Sequence, residues 1–316
     1  MRKLIVFIAI GLLVIGGILL GVAISKGSFY SDNNKVVKNY DVEEAFNNIN
    51  IDGDTSKITF YKATDGKCKV ECIESEKNYH EVSVSENTLF IKEIDETKWY
   101  MQAFSFNFYK KEVKIYLPND NYDVLTIKND TGDIDIPSTF SFNNLVIDLS
   151  TGDVHLKANV SNDINIKSST GYIYLDDLTC KNLSITTSTG HKELTNVNVE
   201  EDVNLLSSTG KVKINGLNCK NLKIEADTGD ISLIKVIATN NLNIETSTGD
   251  VTFDASDAET IKVNTSTGDV KGNLLTEKSF YAHSSSGKVN VPKTTGNICE
   301  IETSTGKIDI EVKPAN

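Results

Sequence analysis

The chain has 316 residues, more than one globular core usually holds, so it is either two domains or one elongated repeat array. Thirty-two basic residues against 44 acidic ones give a net charge of −12, which disfavours nucleic acid, whose phosphates demand a basic face. Five cysteines are too few, and odd in number, for a disulfide scaffold, and Arg2 is the only arginine, which removes bidentate arginine chemistry.

Residues 1–3 are expected to form a short cytoplasmic tail. An unbroken apolar or glycine run then extends from Leu4 to Ile24. As a helix it spans about 32 Å, the thickness of a bilayer core, and it is longer than the roughly 7–15 residues of a signal-peptide core. The expectation is one transmembrane helix over 4–24. Basic residues first and apolar residues second is the order of a signal anchor, which puts the amino terminus in the cytoplasm and the bulk outside the cell membrane. Residues 25–39 are polar, without a helical stripe, and serve as a linker. Without residues 1–26 the chain holds 29 lysines against 44 acids, a net −15.

Residues 40–120 are β-rich but not periodic. Candidate strands are Ile49–Ile51, Ile58–Phe60, Lys69–Cys72, Val82–Val84, Leu89–Ile91 and Val113–Leu117, with turn signals at Asp65-Gly66 and Ser85-Glu86-Asn87. A repeat array needs an atypical end to hide its first open edge, and this segment is expected to be that cap. The aromatic stretch Trp99–Tyr109 is expected to pack on the first coil.

From residue 121 to 316 the chain repeats. Glycines recur at Gly132, Gly152, Gly171, Gly190, Gly210, Gly229, Gly249, Gly268, Gly287 and Gly306, at intervals of 19 or 20 residues. Positions seven and five before each glycine are apolar or Ala282; two and four after it they are apolar except for Lys192 and Gly272. Period-two alternation on both sides of a glycine predicts two half-buried strands per copy, with the glycine bending the chain between them. A weaker apolar position further on (Leu178, Val197, Leu217, Val236, Leu275) predicts a short third side. One coil cannot bury enough surface to fold alone, so the copies stack. The fold class is all-β: a right-handed parallel β-helix, or β-solenoid, of about ten coils with an irregular β cap. A Ser-Thr dipeptide precedes most of the glycines. Parity places Thr246 and Thr248 on the inward face with Leu242 and Ile244, which predicts a packed hydroxyl ladder rather than an ice-binding surface.

The order of anchor, irregular β region, the strand Lys114-Ile115-Tyr116-Leu117-Pro118 and tandem Ser-Thr-Gly-Asp-Val coils resembles the bacterial adhesin-like β-strand-repeat family DUF4097. The tripeptides Thr131-Gly132-Asp133, Thr151-Gly152-Asp153, Thr248-Gly249-Asp250 and Thr267-Gly268-Asp269 carry the likeness. The resemblance implies membrane-anchored envelope proteins of Gram-positive bacteria, one of them encoded beside a cell-envelope stress-response system. It implies no active site.

The residue after each glycine is often aspartate. In register, Asp230, Asp250 and Asp269 stack about 5 Å apart and repel by roughly 0.9 kcal/mol per pair. A bound Ca²⁺ would relieve this; the simpler reading is that aspartate suits a turn after glycine and stays solvated. The cysteines read as quiet thiols. The histidines His80, His155, His191 and His283 assemble no catalytic or metal-ligand spacing, and no cofactor is called for. The expected function is a non-catalytic binding or scaffolding module of the envelope, its partner another envelope protein or a wall polymer. A polysaccharide-active β-helix lyase or glycosidase and a calcium-binding surface repeat are the alternatives. The last coil, around Ile308–Ile310, is expected to present an open pairing edge guarded by Lys307, Lys313 and Pro314.

Overall fold

A computed structural model describes residues 35–96 and 111–314, together with Gly11, Gly16 and Gly17. The expected aromatic packing of Trp99–Tyr109 lies outside these residues, as does the expected membrane helix over 4–24 apart from the three glycines. No helix among the described residues is long and apolar enough to cross a membrane.

Residues 35–96 and 111–314 form one β-solenoid. The chain opens with β1 (Val36–Val42), β2 (Asn48–Asp52), β3 (Ser56–Lys62), β4 (Cys68–Glu74), β5 (Asn78–Ser85), β6 (Thr88–Asp95) and β7 (Lys111–Leu117). Then come β8 (Asn121–Thr131), β9 (Ile134–Ile136), β10 (Ser141–Thr151) and β11 (Val154–Leu156), which set the pattern of the repeat. Each strand candidate of the cap lies inside one of β2–β7. The stack begins within the cap: β2 pairs in parallel with β8, and β3 with β9. On their other side lie β6 and β7, also parallel. Antiparallel pairs then close this end, β1 on β4, β4 on β7 and β5 on β6. Changing strand direction at the rim leaves no long parallel edge to template further coils.

In the repeat, apolar residues before and after each glycine line two parallel sheets. Register is strict: Leu125, Leu145, Ile164 and Leu183 align on the first sheet, and Ile134, Val154 and Ile173 on the second. Leu178, Val197, Leu217 and Val236 are buried on the third side, as expected; at the coil of Gly268, Leu274 is buried in place of Leu275.

Nine of the ten repeat glycines hold positive φ, so the regular turns number nine rather than ten. Gly171 shows why no other residue serves. Its φ of +143° lies where L side chains are strained, and a Cβ there would overlap the carbonyl oxygen of Gly152 in the adjacent coil.

The inward ladder is one column away from part of its expected place. Ser168, Thr187, Ser207, Thr246 and Thr265, three before each glycine, are buried. Thr248, directly before Gly249, is exposed, because the backbone has already left the strand direction to round the corner and parity no longer applies. Lys192 occupies an inward apolar position, aligned between Ile173 and Val212, and is 1% exposed.

The final coils do not stack in chain order. The strand Asn297–Thr305 pairs with Val251–Thr267 on one side and with Lys278–Ser284 on the other. Ile308–Val312 likewise lies between Val270–Leu274 and Val289–Asn290. The last coil is thus inserted beneath its predecessor, and the coil of Gly287 forms the outer end. The expected open edge at Ile308–Ile310 is therefore interior, with both residues buried. Any coil with the same apolar ranks fits either slot, so the alternation alone does not order them.

Candidate functional site

The positions directly after and three after each glycine face outward on the second sheet. At the first, the side chain serves the neighbouring coil. The backbone N–H of Asp269 donates to Asp250 Oδ1 at 2.9 Å, that of Asp250 to Asp230 Oδ1 at 3.3 Å, and that of Lys307 to Asp269 Oδ1 at 2.7 Å. His191 accepts in the same way through Nδ1 from Lys211. Lysines add to the column: Lys271 Nζ lies 3.1 Å from Asp250 Oδ2, and Lys211 Nζ 3.1 Å from Asp230 Oδ2. The Asp269 N–H, then Lys271, hold the Asp250 carboxyl below the usual carboxylate range. Asp230, Asp250 and Asp269 stand in register, each accepting a backbone N–H from the adjacent coil. The one group of three or more metal-ligating side chains that converges among the described residues is elsewhere.

Near the middle of this face the charges give way to rings. His155 and Tyr174 are register partners on adjacent coils and stack with centroids 4.7 Å apart and planes 1° from parallel. Tyr172 stacks beside Tyr174 at 5.9 Å and meets His191 at 4.9 Å. Tyr172 is 41% exposed and His155 is exposed as well, while Tyr174 and His191 are half-buried. Toward the cap the same sheet carries a second pair, Tyr61 of β3 and Tyr116 of β7, stacked at 5.2 Å, with Lys69 Nζ 4.7 Å above the Tyr116 ring. From β7 through β3, β9 and β11 to the strand of Tyr174 the sheet advances four rungs, about 19 Å at the usual strand spacing. Asp135, Asp153 and Glu193 border the rings. This face offers flat apolar planes flanked by hydrogen-bond acceptors, the chemistry that holds the CH faces and hydroxyls of sugar rings.

Two sets of residues here escaped the sequence reading. Tyr172-x-Tyr174 and His155 carried a usable signal, since alternation after Gly171 and Gly152 already points them outward. Cys72, Glu74 and His80 in the cap come together only through the passage from β4 to β5. All five cysteines are buried and unbonded.

The geometry defines a parallel β-solenoid with a ring-bearing flank. The family profile of Toastrack DUF4097 matches residues 46–207 and again 200–315, and the chain belongs to that family. The fold is shared with a "putative adhesin" of Parabacteroides distasonis, 16% identical, TM-score 0.51, covering 89% of this chain and 98% of that one. A "putative adhesin" of Bacteroides fragilis is 18% identical over 88% of this chain and 98% of that one, TM-score 0.43. A "putative lipid binding protein" of Parabacteroides distasonis is 16% identical over 89% and 98%, TM-score 0.44. Comparison with curated protein sequences gives no significant match.

Proposed function

We propose that this protein is a non-catalytic, membrane-tethered, extracytoplasmic module of the cell envelope that holds an extended wall glycan along its ring-bearing face. The observation that carries the reading is the row of stacked rings His155, Tyr174 and Tyr172, with His191 tilted against Tyr172, on one sheet. The rings give a ligand flat apolar area, and parallel rungs fix their spacing before any ligand arrives, which limits the entropy lost on binding. The net charge of −12 favours a neutral or amino-bearing polymer over an anionic one. The tether rests on the apolar run Leu4–Ile24, and a link to envelope stress rests on the family resemblance.

Incubating the full-length protein with purified wall sacculi and sedimenting the mixture tests this reading. The protein is expected in the pellet with no new reducing ends released. Turnover of the glycan would instead establish the polysaccharide-active alternative.

A further inference from the structure

The cap contains a buried polar cluster unrelated to the ring face. Cys72 and Glu74 alternate on β4 and so point the same way, into the gap between the two sheets; His80 enters that gap from β5. All three are buried, and a sulfur, a carboxylate oxygen and a ring nitrogen from them lie within 4.8 Å of one another. Glu74 Oε1 accepts from the backbone N–H of His80 at 2.8 Å and from the Tyr40 hydroxyl at 2.7 Å, and lies 3.2 Å from His80 Nδ1.

The remaining ring nitrogen, His80 Nε2, is buried without a hydrogen-bond partner, although His80 is only 4% exposed. A core imidazole with one nitrogen stranded is destabilising. Glu74 Oε1 already faces Nδ1, so an ion shared by the two side chains would enter on the Nδ1 side of the ring.

We infer that Cys72, Glu74 and His80 form a binding site for a borderline-soft divalent ion of the zinc type. Sulfur, imidazole and carboxylate together suit zinc and disfavour calcium or magnesium, which take oxygen ligands. Bonds of about 2.0–2.3 Å to a tetrahedral ion put ligand atoms roughly 3.3–3.8 Å apart, so the cluster needs to close by only about 1 Å. The Tyr40 hydroxyl lies next to the cluster, 2.7 Å from Glu74 Oε1 and 2.7 Å from the His80 carbonyl oxygen. Binding displaces the Cys72 thiol proton to solvent. The ion would join β4 to β5 and so pin the two sheets together at the capped end of the solenoid, where parallel stacking no longer does so.

Cobalt(II) added to the full-length, detergent-solubilised protein is the test. The site is expected to give one equivalent of a thiolate-to-cobalt charge-transfer band, bleached by one equivalent of zinc, and zinc is expected to raise Tm. Cys72→Ser and His80→Gln should each abolish the band and weaken zinc binding at least tenfold, while Cys68→Ser on the same strand should keep both. The wild-type spectrum decides the matter even if a variant fails to fold. No thiolate band in the wild type, or a band that survives in Cys72→Ser or His80→Gln, would overturn the assignment.

Discussion

The backbone N–H of Lys307 donates to the Asp269 carboxylate at 2.7 Å across 38 residues of chain. That bond seats the last coil directly on the coil of Gly268. The segment between them in sequence, the coil of Gly287, is pushed to the outside, and its strands pair with Asn297–Thr305 and Ile308–Val312. A buried ion pair, Lys278 Nζ to Asp257 Oδ1 at 2.6 Å, reaches past the inserted coil to tie the outer one down.

Deleting residues 297–316 should therefore release two coils, not one. Limited proteolysis of the truncated protein is expected to cut within 278–296 while residues up to 274 stay protected. Ile301→Asp should destabilise the intact protein by about 3–5 kcal/mol, because it buries an unpaired carboxylate between two coils. Continued protection of 278–290 in the truncated chain would mean that the coils stack in chain order.

Lys192 makes stability depend on pH. Burial pulls its pKa from the usual 10.5 down to about 8, and its amine has one partner, Thr187 Oγ1 at 2.5 Å. Below pH 8 the lysine is charged in both states and the burial penalty is complete. Between 8 and 10.5 the folded protein sheds the proton while the unfolded chain keeps it, so this lysine's contribution to stability rises with pH, and above 10.5 its penalty is gone. Lys192→Met should gain about 3 kcal/mol at pH 7 and lose that advantage by pH 10.5. Urea unfolding of both proteins across this range gives the difference directly. An equal stability gap at pH 7 and pH 10.5 would contradict the assignment.

The aspartate column gives a calcium prediction. Asp230, Asp250 and Asp269 already receive backbone N–H groups from the next coil, and two of them also meet lysines. Millimolar calcium should leave Tm unchanged. A calcium-dependent rise that Asp250→Ala removes would restore the cation ladder.

Much of this architecture was legible in the residues. The glycine column, with apolar positions at fixed offsets, specified two inward strands and a corner, because a parallel coil has no other way to bury alternating side chains. Thr248 defeated the same logic, since parity holds only while the chain runs straight. The insertion of the last coil was hidden, because Ile301 and Ile308 satisfy the apolar ranks equally well in either slot. The rings were half legible: alternation turned Tyr172 and Tyr174 outward, but only the register of Val154 on Ile173 sets His155 against Tyr174. Cys72 and His80 meet through a change of sheet that periodicity does not encode.

The most direct measurement is the affinity of the full-length protein for wall sacculi, compared with that of Tyr172→Ala/Tyr174→Ala. Both side chains lie on the outward face, so the double variant should keep its Tm within a few degrees while its affinity falls at least tenfold. Equal affinity in the two folded proteins would show that the ring face does not hold the glycan.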